Sequence, residues 1–353
     1  MPSTGGRPAA PGLVDRFGRA ATDLRVSLTD RCNLRCTYCM PAEGLDWMPT
    51  AQTLTDDEIV RLIEVAVTRL GVTDVRFTGG EPLLRKGLES IVAATKALRT
   101  DDGRPVGTAL TTNGLGLERR AAALRAAGLD RINVSLDTLD PERFARITLR
   151  DRHADVLAGL RAAVAVGLAP VKLNTVLMPG INDDEAPDLL AWALAEGYEL
   201  RFIEQMPLDP QGGWDRERMV TAADILASLR TRFTLEPTDP DRRGAAPAQT
   251  WFVSGTPEVG GTTSGRPVVG VIASVTRPFC GDCDRTRLTA DGQIRNCLFA
   301  RTETDLRGLL RSGADDEAVA EAWRAGMWTK EAGHGIDDPS FLQPDRPMSA
   351  IGG

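Results

Sequence analysis

The chain has 353 residues, 42% of them apolar, enough for one large domain or for a domain with a smaller extension. A formal net charge of −7 argues against a general nucleic-acid binder, although a few guanidinium groups can still converge on an anionic ligand. No run of about 18 apolar residues marks a membrane span; residues 1–22, rich in Gly, Pro and Ala, lack a signal-peptide core. The expectation is a cytoplasmic protein whose mobile N-terminal arm leads into a short helix.

Short β-branched runs then alternate with longer helical patterns, and strands are expected at residues 23–29, 74–78, 107–111, 131–136, 171–177 and 200–204. Between the first two, Asp56, Asp57 and Glu58 precede Ile59, Leu62, Ile63, Val65 and Ala66 at helical spacing, which predicts a helix over 55–70 with its negative charge in the first turn. Gly71, Gly128, Gly167 and Gly197 each stand just past such a pattern, where helices stop. Six strand–helix units imply a parallel sheet with right-handed crossovers. Six is short of the eight that close a barrel, so the fold class is α/β, an open, partial (β/α)6 TIM-like barrel with function at its C-terminal strand ends.

The periodicity fades after about residue 207. A Gly/Pro/Asp-rich stretch (208–213) precedes a helix near 222–230, turn residues dominate 237–267 with one strand at 250–253, and a strand at 268–275 follows. Helices are expected near 304–312 and 315–328, then a loop-like tail from 335. The expected division is an arm (1–22), a core domain (23–236) and a C-terminal domain (237–353) that closes the barrel mouth.

The six cysteines form two triplets with none left over: Cys32-x3-Cys36-x2-Cys39, directly after the first strand, and Cys280-x2-Cys283-x13-Cys297. Closely spaced thiolates in a reducing compartment hold metal more often than they form disulfides. Three can ligate three irons of a [4Fe–4S] cubane and leave the fourth open to a small molecule. The alternatives are a zinc site one ligand short and a redox thiol pair; zinc prefers four ligands, and neither His153 nor His334 has finger-like spacing. Beside the second triplet, Arg285 and Arg287 point to one face of an extended segment, a pairing suited to phosphate oxygens. Surface arginines flanking a structural cluster are the alternative. Basic residues are almost all arginine, with lysine only at Lys86, Lys96, Lys172 and Lys330, so a lysine within a strand stands out.

The first triplet, with Tyr38 before its last cysteine, resembles the signature of radical S-adenosylmethionine enzymes. Thr78-Gly79-Gly80-Glu81-Pro82 resembles that superfamily's glycine-rich motif, where backbone without a Cβ meets the methionyl amine. The whole arrangement resembles the GTP 3′,8-cyclases, also through Asp30-Arg31-Cys32-Asn33, Thr111-Thr112-Asn113-Gly114, Gly180-Ile181-Asn182-Asp183 and the terminal Gly352-Gly353.

The resemblance implies two [4Fe–4S] clusters, on Cys32, Cys36 and Cys39 and on Cys280, Cys283 and Cys297. It implies that the first cluster reduces S-adenosylmethionine to a 5′-deoxyadenosyl radical, that this takes the 3′ hydrogen of GTP, and that the ribose carbon attacks C8 of guanine. Tyr38, Gly80, Ser135 and Met206 would contact S-adenosylmethionine. Arg25, Arg76, Thr111, Lys172, Arg201, Arg285, Thr286 and Arg287 would contact GTP, and Gly352 and Gly353 would reach the active site. Salt bridges to Asp or Glu, or an outward direction, are the alternatives for some of these basic residues. The implied partners are an external electron donor and a downstream cyclic pyranopterin monophosphate synthase, with no nucleic acid or membrane, in a monomer or homodimer. A peptide-modifying radical enzyme with an auxiliary cluster would share the first triplet but lack the arginine pair and the tail; an electron carrier or zinc scaffold would need no adenosine site.

Overall fold

A computed structural model describes residues 6–209, 212–239, 243–255 and 266–352. Six strands with helical crossovers form the frame: β1 (Asp23–Ser27), α1 (Asp56–Leu70), β2 (Asp74–Thr78), α2 (Leu88–Ala97), β3 (Gly107–Thr112), α3 (Leu117–Ala126), β4 (Arg131–Ser135), α4 (Pro141–Thr148), α5 (His153–Ala165), β5 (Val171–Val176), α6 (Ala186–Ala195) and β6 (Glu199–Ile203). Then come α7 (Ala222–Arg230), β7 (Thr234–Pro237), β8 (Gln249–Ser254), β9 (Val268–Ile272), β10 (Arg285–Leu288), β11 (Gln293–Arg295), β12 (Thr304–Asp305), α8 (Leu306–Arg311), α9 (Asp316–Trp328) and α10 (Met348–Ile351).

Local chemistry sets the helix boundaries. The Thr55 hydroxyl accepts from Glu58 N–H while the Glu58 side chain accepts from Thr55 N–H, and Gly71 closes α1 in the left-handed region at φ 74°. Each strand buries its apolar positions against the helices; Leu24, Val26, Phe77, Leu110, Ile132, Val134, Leu173 and Phe202 all lie in the core. No described helix is long and apolar enough to cross a membrane.

The described strands form one sheet in the order β12-β11-β10-β1-β2-β3-β4-β5-β6-β9-β8-β7, and it does not close on itself. The expected six parallel strands are its centre. The C-terminal segment joins the sheet itself: β10 pairs parallel with β1 and β9 pairs parallel with β6, so both open edges are extended by strands from later in the chain.

Three local expectations are corrected. No helix forms between residues 13 and 21; Val14 and Ala20 make an antiparallel bridge, and Asp15 accepts from the N–H groups of Phe17 and Arg19 at 2.9 and 3.0 Å. That local side-chain hydrogen bonding competes with the helical ladder. The helix expected from residue 304 starts at Leu306, because Thr304 and Asp305 pair with β11 and the Asp305 carboxylate caps Gly308 N–H. The tail carries one helical turn, α10, with Ile351 fully buried, and Arg346 anchors it through Asp291 (2.8 Å) and Glu303 (2.8 Å).

Candidate active site

A cavity of about 640 Å³ opens at the centre of the sheet. Its floor is a row of arginines set by register: Arg287 of β10, Arg25 of β1 and Arg76 of β2 are direct neighbours on three adjacent parallel strands. Arg285 and Arg201 line the same cavity. Burial pushes the Arg25 guanidinium down to about 10 and Arg287 down to about 9, and neighbouring arginines add to both shifts. Nε of Arg25, Nε and Nη1 of Arg76 and Nε of Arg285 are buried without a hydrogen-bond partner among the described residues. Several like charges held together in a partly dry site are costly unless an anion joins them.

Lys172 and Thr111 also line the cavity. Lys172 is salt-bridged as well, with Glu199 Oε2 at 2.8 Å, so of the two strand cations Arg76 carries the less satisfied charge. Thr286 is different. Its side chain turns to the opposite face of β10, fully buried, where its hydroxyl accepts from Trp323 Nε1 at 3.0 Å. The strand alternation that aims Arg285 and Arg287 at the cavity aims the Thr286 side chain away from it, which leaves its main chain to make any nucleotide contact.

Cys280, Cys283 and Cys297 lie together on the cavity wall, beside Phe279, Phe299 and His334. Burial pushes the Cys283 thiol up, but Arg285 and Lys330 outweigh it and bring the thiol below its ordinary value. Lys330 escaped the sequence reading as a site residue. Its Nζ is 3.3 Å from Cys283 Sγ, 3.1 Å from Cys283 O and 3.0 Å from Arg285 O. Arg19, from the N-terminal bridge, donates to Cys280 O at 2.6 Å and to the carbonyls of Glu331 and Ala332. Arg131, Asn133 and Asn174 on the cavity wall were also missed, although their alternation with apolar residues in β4 and β5 is visible in the sequence.

The first triplet forms the loop after β1, where Cys39 N–H donates to Cys36 O at 2.8 Å and Asn113 Nδ2 lies 3.7 Å from Cys32 Sγ. Burial pushes the Cys39 thiol up to about 12. Tyr38, Cys39 and Met206 line a small cavity of about 50 Å³ beside Met348. The Tyr38 hydroxyl donates to Asp137 Oδ2 at 2.9 Å, and Asp137 Oδ1 accepts from Val176 N–H at 2.9 Å. Ser135 ends β4, half-buried, two residues beyond Asn133 on the same face and outside the residues lining either cavity. Gly80 is needed for a reason the motif did not reveal: an added Cβ would collide with the carbonyls of Asp30 and Arg31, and Gly80 N–H already donates to Thr29 O at 2.8 Å. The glycine pair is the seat of the cysteine loop.

Gly352 lies buried between the C-terminal ends of β1 and β2, and its carbonyl accepts from Arg287 Nη1. Gly353 lies outside the described residues.

Both triplets suit an iron–sulfur cluster. Each gathers three cysteines and no disulfide forms among the described residues. Within each triplet the thiols lie near one another, Cys36 close to Cys32 and Cys39, and Cys280 close to Cys283 and Cys297. A cubane takes one thiolate per iron.

The Radical SAM superfamily model matches residues 26–193, and the Molybdenum Cofactor Synthesis C model matches residues 198–336. The chain is similar to the GTP 3′,8-cyclase of Streptomyces coelicolor, 66% identical over 347 residues and 98% of each chain. It is 61% identical over 351 residues to that of Corynebacterium glutamicum, covering 98% of this chain and 91% of the relative. It is 62% identical over 346 residues to GTP 3′,8-cyclase 2 of Mycobacterium tuberculosis, covering 98% and 93%. Among solved structures, Streptococcus suis SuiB bound to its precursor peptide SuiA aligns over 90% of this chain and 67% of its own, with a TM-score of 0.54 and 14% identity. SuiB bound to S-adenosylmethionine aligns over 86% and 68%, with a TM-score of 0.52 and 15% identity. At such identities the likeness is one of fold.

Proposed function

We infer the function from one premise: the chain belongs to the GTP 3′,8-cyclases of the radical S-adenosylmethionine superfamily. It is an enzyme that cyclises GTP to (8S)-3′,8-cyclo-7,8-dihydroguanosine 5′-triphosphate, the first step of molybdopterin biosynthesis, with S-adenosylmethionine and iron–sulfur clusters as cofactors.

The observation that carries this reading to the residues is the row of Arg287, Arg25 and Arg76 across the cavity floor, with Cys280, Cys283 and Cys297 on its wall. In our reading these arginines, with Arg285, Arg201 and Lys172, take the triphosphate, whose negative charge offsets the excess of positive charge gathered there. Thr111 faces the same space and serves the nucleoside. Cys280, Cys283 and Cys297 would hold a second cluster, which would help bind the guanine. Cys32, Cys36 and Cys39 hold the first. Bound there, the first cluster would supply the electron for reductive cleavage of S-adenosylmethionine. Tyr38, Gly80, Ser135 and Met206 surround that cofactor, and Asp137 fixes the ring of Tyr38. Gly352, packed against the C-terminal ends of β1 and β2, helps keep water from the reacting carbons.

The functional division we assign is an arm (1–22), a core carrying the first cluster (23–236) and a segment carrying the second (237–353). An external electron donor, transfer of the product to cyclic pyranopterin monophosphate synthase, a cytoplasmic setting and a monomeric or homodimeric state complete the proposal.

The test is anaerobic incubation of the reconstituted protein with S-adenosylmethionine, dithionite and GTP. The expected result is 5′-deoxyadenosine formed in step with cyclised GTP and only when GTP is present. Formation of 5′-deoxyadenosine at the same rate without GTP would sink the reading.

A further inference from the structure

Lys330 closes the turn after α9 with only 3% of its surface exposed. It forms no ion pair with any carboxylate among the described residues; its contacts are two carbonyls, Cys283 O and Arg285 O, and the sulfur of Cys283 at 3.3 Å. Two carbonyl dipoles do not neutralise a buried ammonium, and a buried cation without a counter-charge is strongly unfavourable. Among the described residues, the contacting group able to carry a full negative charge is the Cys283 sulfur. The chain around Lys330 is built toward the same loop: Arg19 ties the carbonyls of Glu331 and Ala332 to Cys280 O, and His334 N–H is directed at the Cys280 sulfur.

We propose that Lys330 sets the electron affinity of the second cluster by placing its ammonium against the Cys283 ligand sulfur. The inference rests on the reading of Cys280, Cys283 and Cys297 as that cluster's ligands. Adding one electron to a cluster adds one negative charge to its iron, sulfide and thiolate framework. A cation in contact with a ligand sulfur stabilises that added charge, and hydrogen bonds to the sulfurs act in the same direction. A purely structural role is separable, because a glutamine amide can still donate to the carbonyls of Cys283 and Arg285 but brings no charge.

The experiment uses the full-length chain carrying Cys32→Ala, Cys36→Ala and Cys39→Ala, so that only the second cluster is read. Iron and sulfide are counted, and the one-electron midpoint is measured by dithionite titration followed by electron paramagnetic resonance. Lys330→Gln is expected to lower the reduced-to-oxidised ratio at a fixed potential about tenfold, a shift of about 59 mV to more negative values. Lys330→Arg, which keeps the charge, is expected to recover most of it. An unchanged midpoint in Lys330→Gln with full iron content overturns the proposal. If Lys330→Gln cannot hold the cluster, the arginine variant decides: a bound cluster at the parent midpoint supports the role of the charge, and loss of the cluster there too overturns it. Absence of iron from the triple-alanine parent would instead overturn the cluster reading itself.

Discussion

Arg287 donates to the main-chain carbonyl of Gly352, so the strand that carries one wall of the cavity also holds the end of the chain. Gly352 has φ 79°, in the left-handed region, and an added Cβ would collide with Ser27 Oγ and approach Thr78 Cγ2 to 2.7 Å. Side-chain-bearing residues in such a conformation are strained by about 1–3 kcal/mol before any clash. Gly352→Ala is therefore expected to lower cyclisation at least tenfold, and removal of Gly352 and Gly353 to abolish it. Both variants should keep the iron of the parent, since Arg346 still anchors the tail through Asp291 and Glu303. Parent-level turnover in the truncated chain would refute this account.

Arg76, whose Nε and Nη1 lack hydrogen-bond partners among the described residues, and the salt-bridged Lys172 should behave differently. Removing Arg76 by Arg76→Met relieves a buried charge that has unsatisfied Nε and Nη1 atoms, so the melting temperature is expected to hold or rise. The same change removes a charge-assisted contact worth about 1.5–3 kcal/mol, so KM for GTP should rise roughly tenfold or more. Lys172→Met leaves Glu199, a partly exposed carboxylate, without its partner and should raise KM less. Initial-rate kinetics with thermal unfolding of each variant check the contrast; an unchanged KM in Arg76→Met would remove that residue from the nucleotide site.

Thr286 supplies a control inside the same strand. Thr286→Val deletes the acceptor of Trp323 Nε1, a fully buried indole, and should cost about 1–3 kcal/mol of stability. KM for GTP should stay within twofold of the parent. A rise in KM without loss of stability would return the Thr286 side chain to the cavity.

What was legible in the sequence and what was not follow from the range of the interactions. The six central strands could be read because each depends on its own β-branched run and on the helix beside it. Pairing of β10 with β1 joins residues far apart in the chain, from Asp23 with Arg285 to Val26 with Leu288, and no local pattern records it. The cysteine triplets and the Arg285–Arg287 pair were visible as short spacings. Thr286 was placed on the nucleotide by resemblance, and the alternation that paired the two arginines turns its side chain, though not its main chain, to the other face. Lys330 was noticed as one of four lysines, but nothing near it in sequence connects it with Cys283. The glycine pair was visible, whereas its reason, the closeness of the Asp30 and Arg31 carbonyls, needed the loop to be folded.

Glu204 tests how the second half of the chain is joined to the first. It directly follows β6, fully buried, and its carboxylate accepts from Ala222 N–H at 2.7 Å, Val275 N–H at 2.8 Å, Thr276 N–H at 2.9 Å and the Thr276 hydroxyl at 2.5 Å. One side chain thus fixes the start of α7 and the segment that leads from β9 to Cys280. In Glu204→Gln the amide nitrogen must face at least one of these donors, so buried N–H groups lose their acceptor. Each unsatisfied group costs about 1–3 kcal/mol, and the total is expected to be roughly 3–5 kcal/mol. Because the loss falls on the segment before Cys280, iron of the second site should become labile to chelators while iron of the first is retained, as read by electron paramagnetic resonance with metal analysis. Equal loss from both sites would show that Glu204 supports the whole sheet rather than this junction.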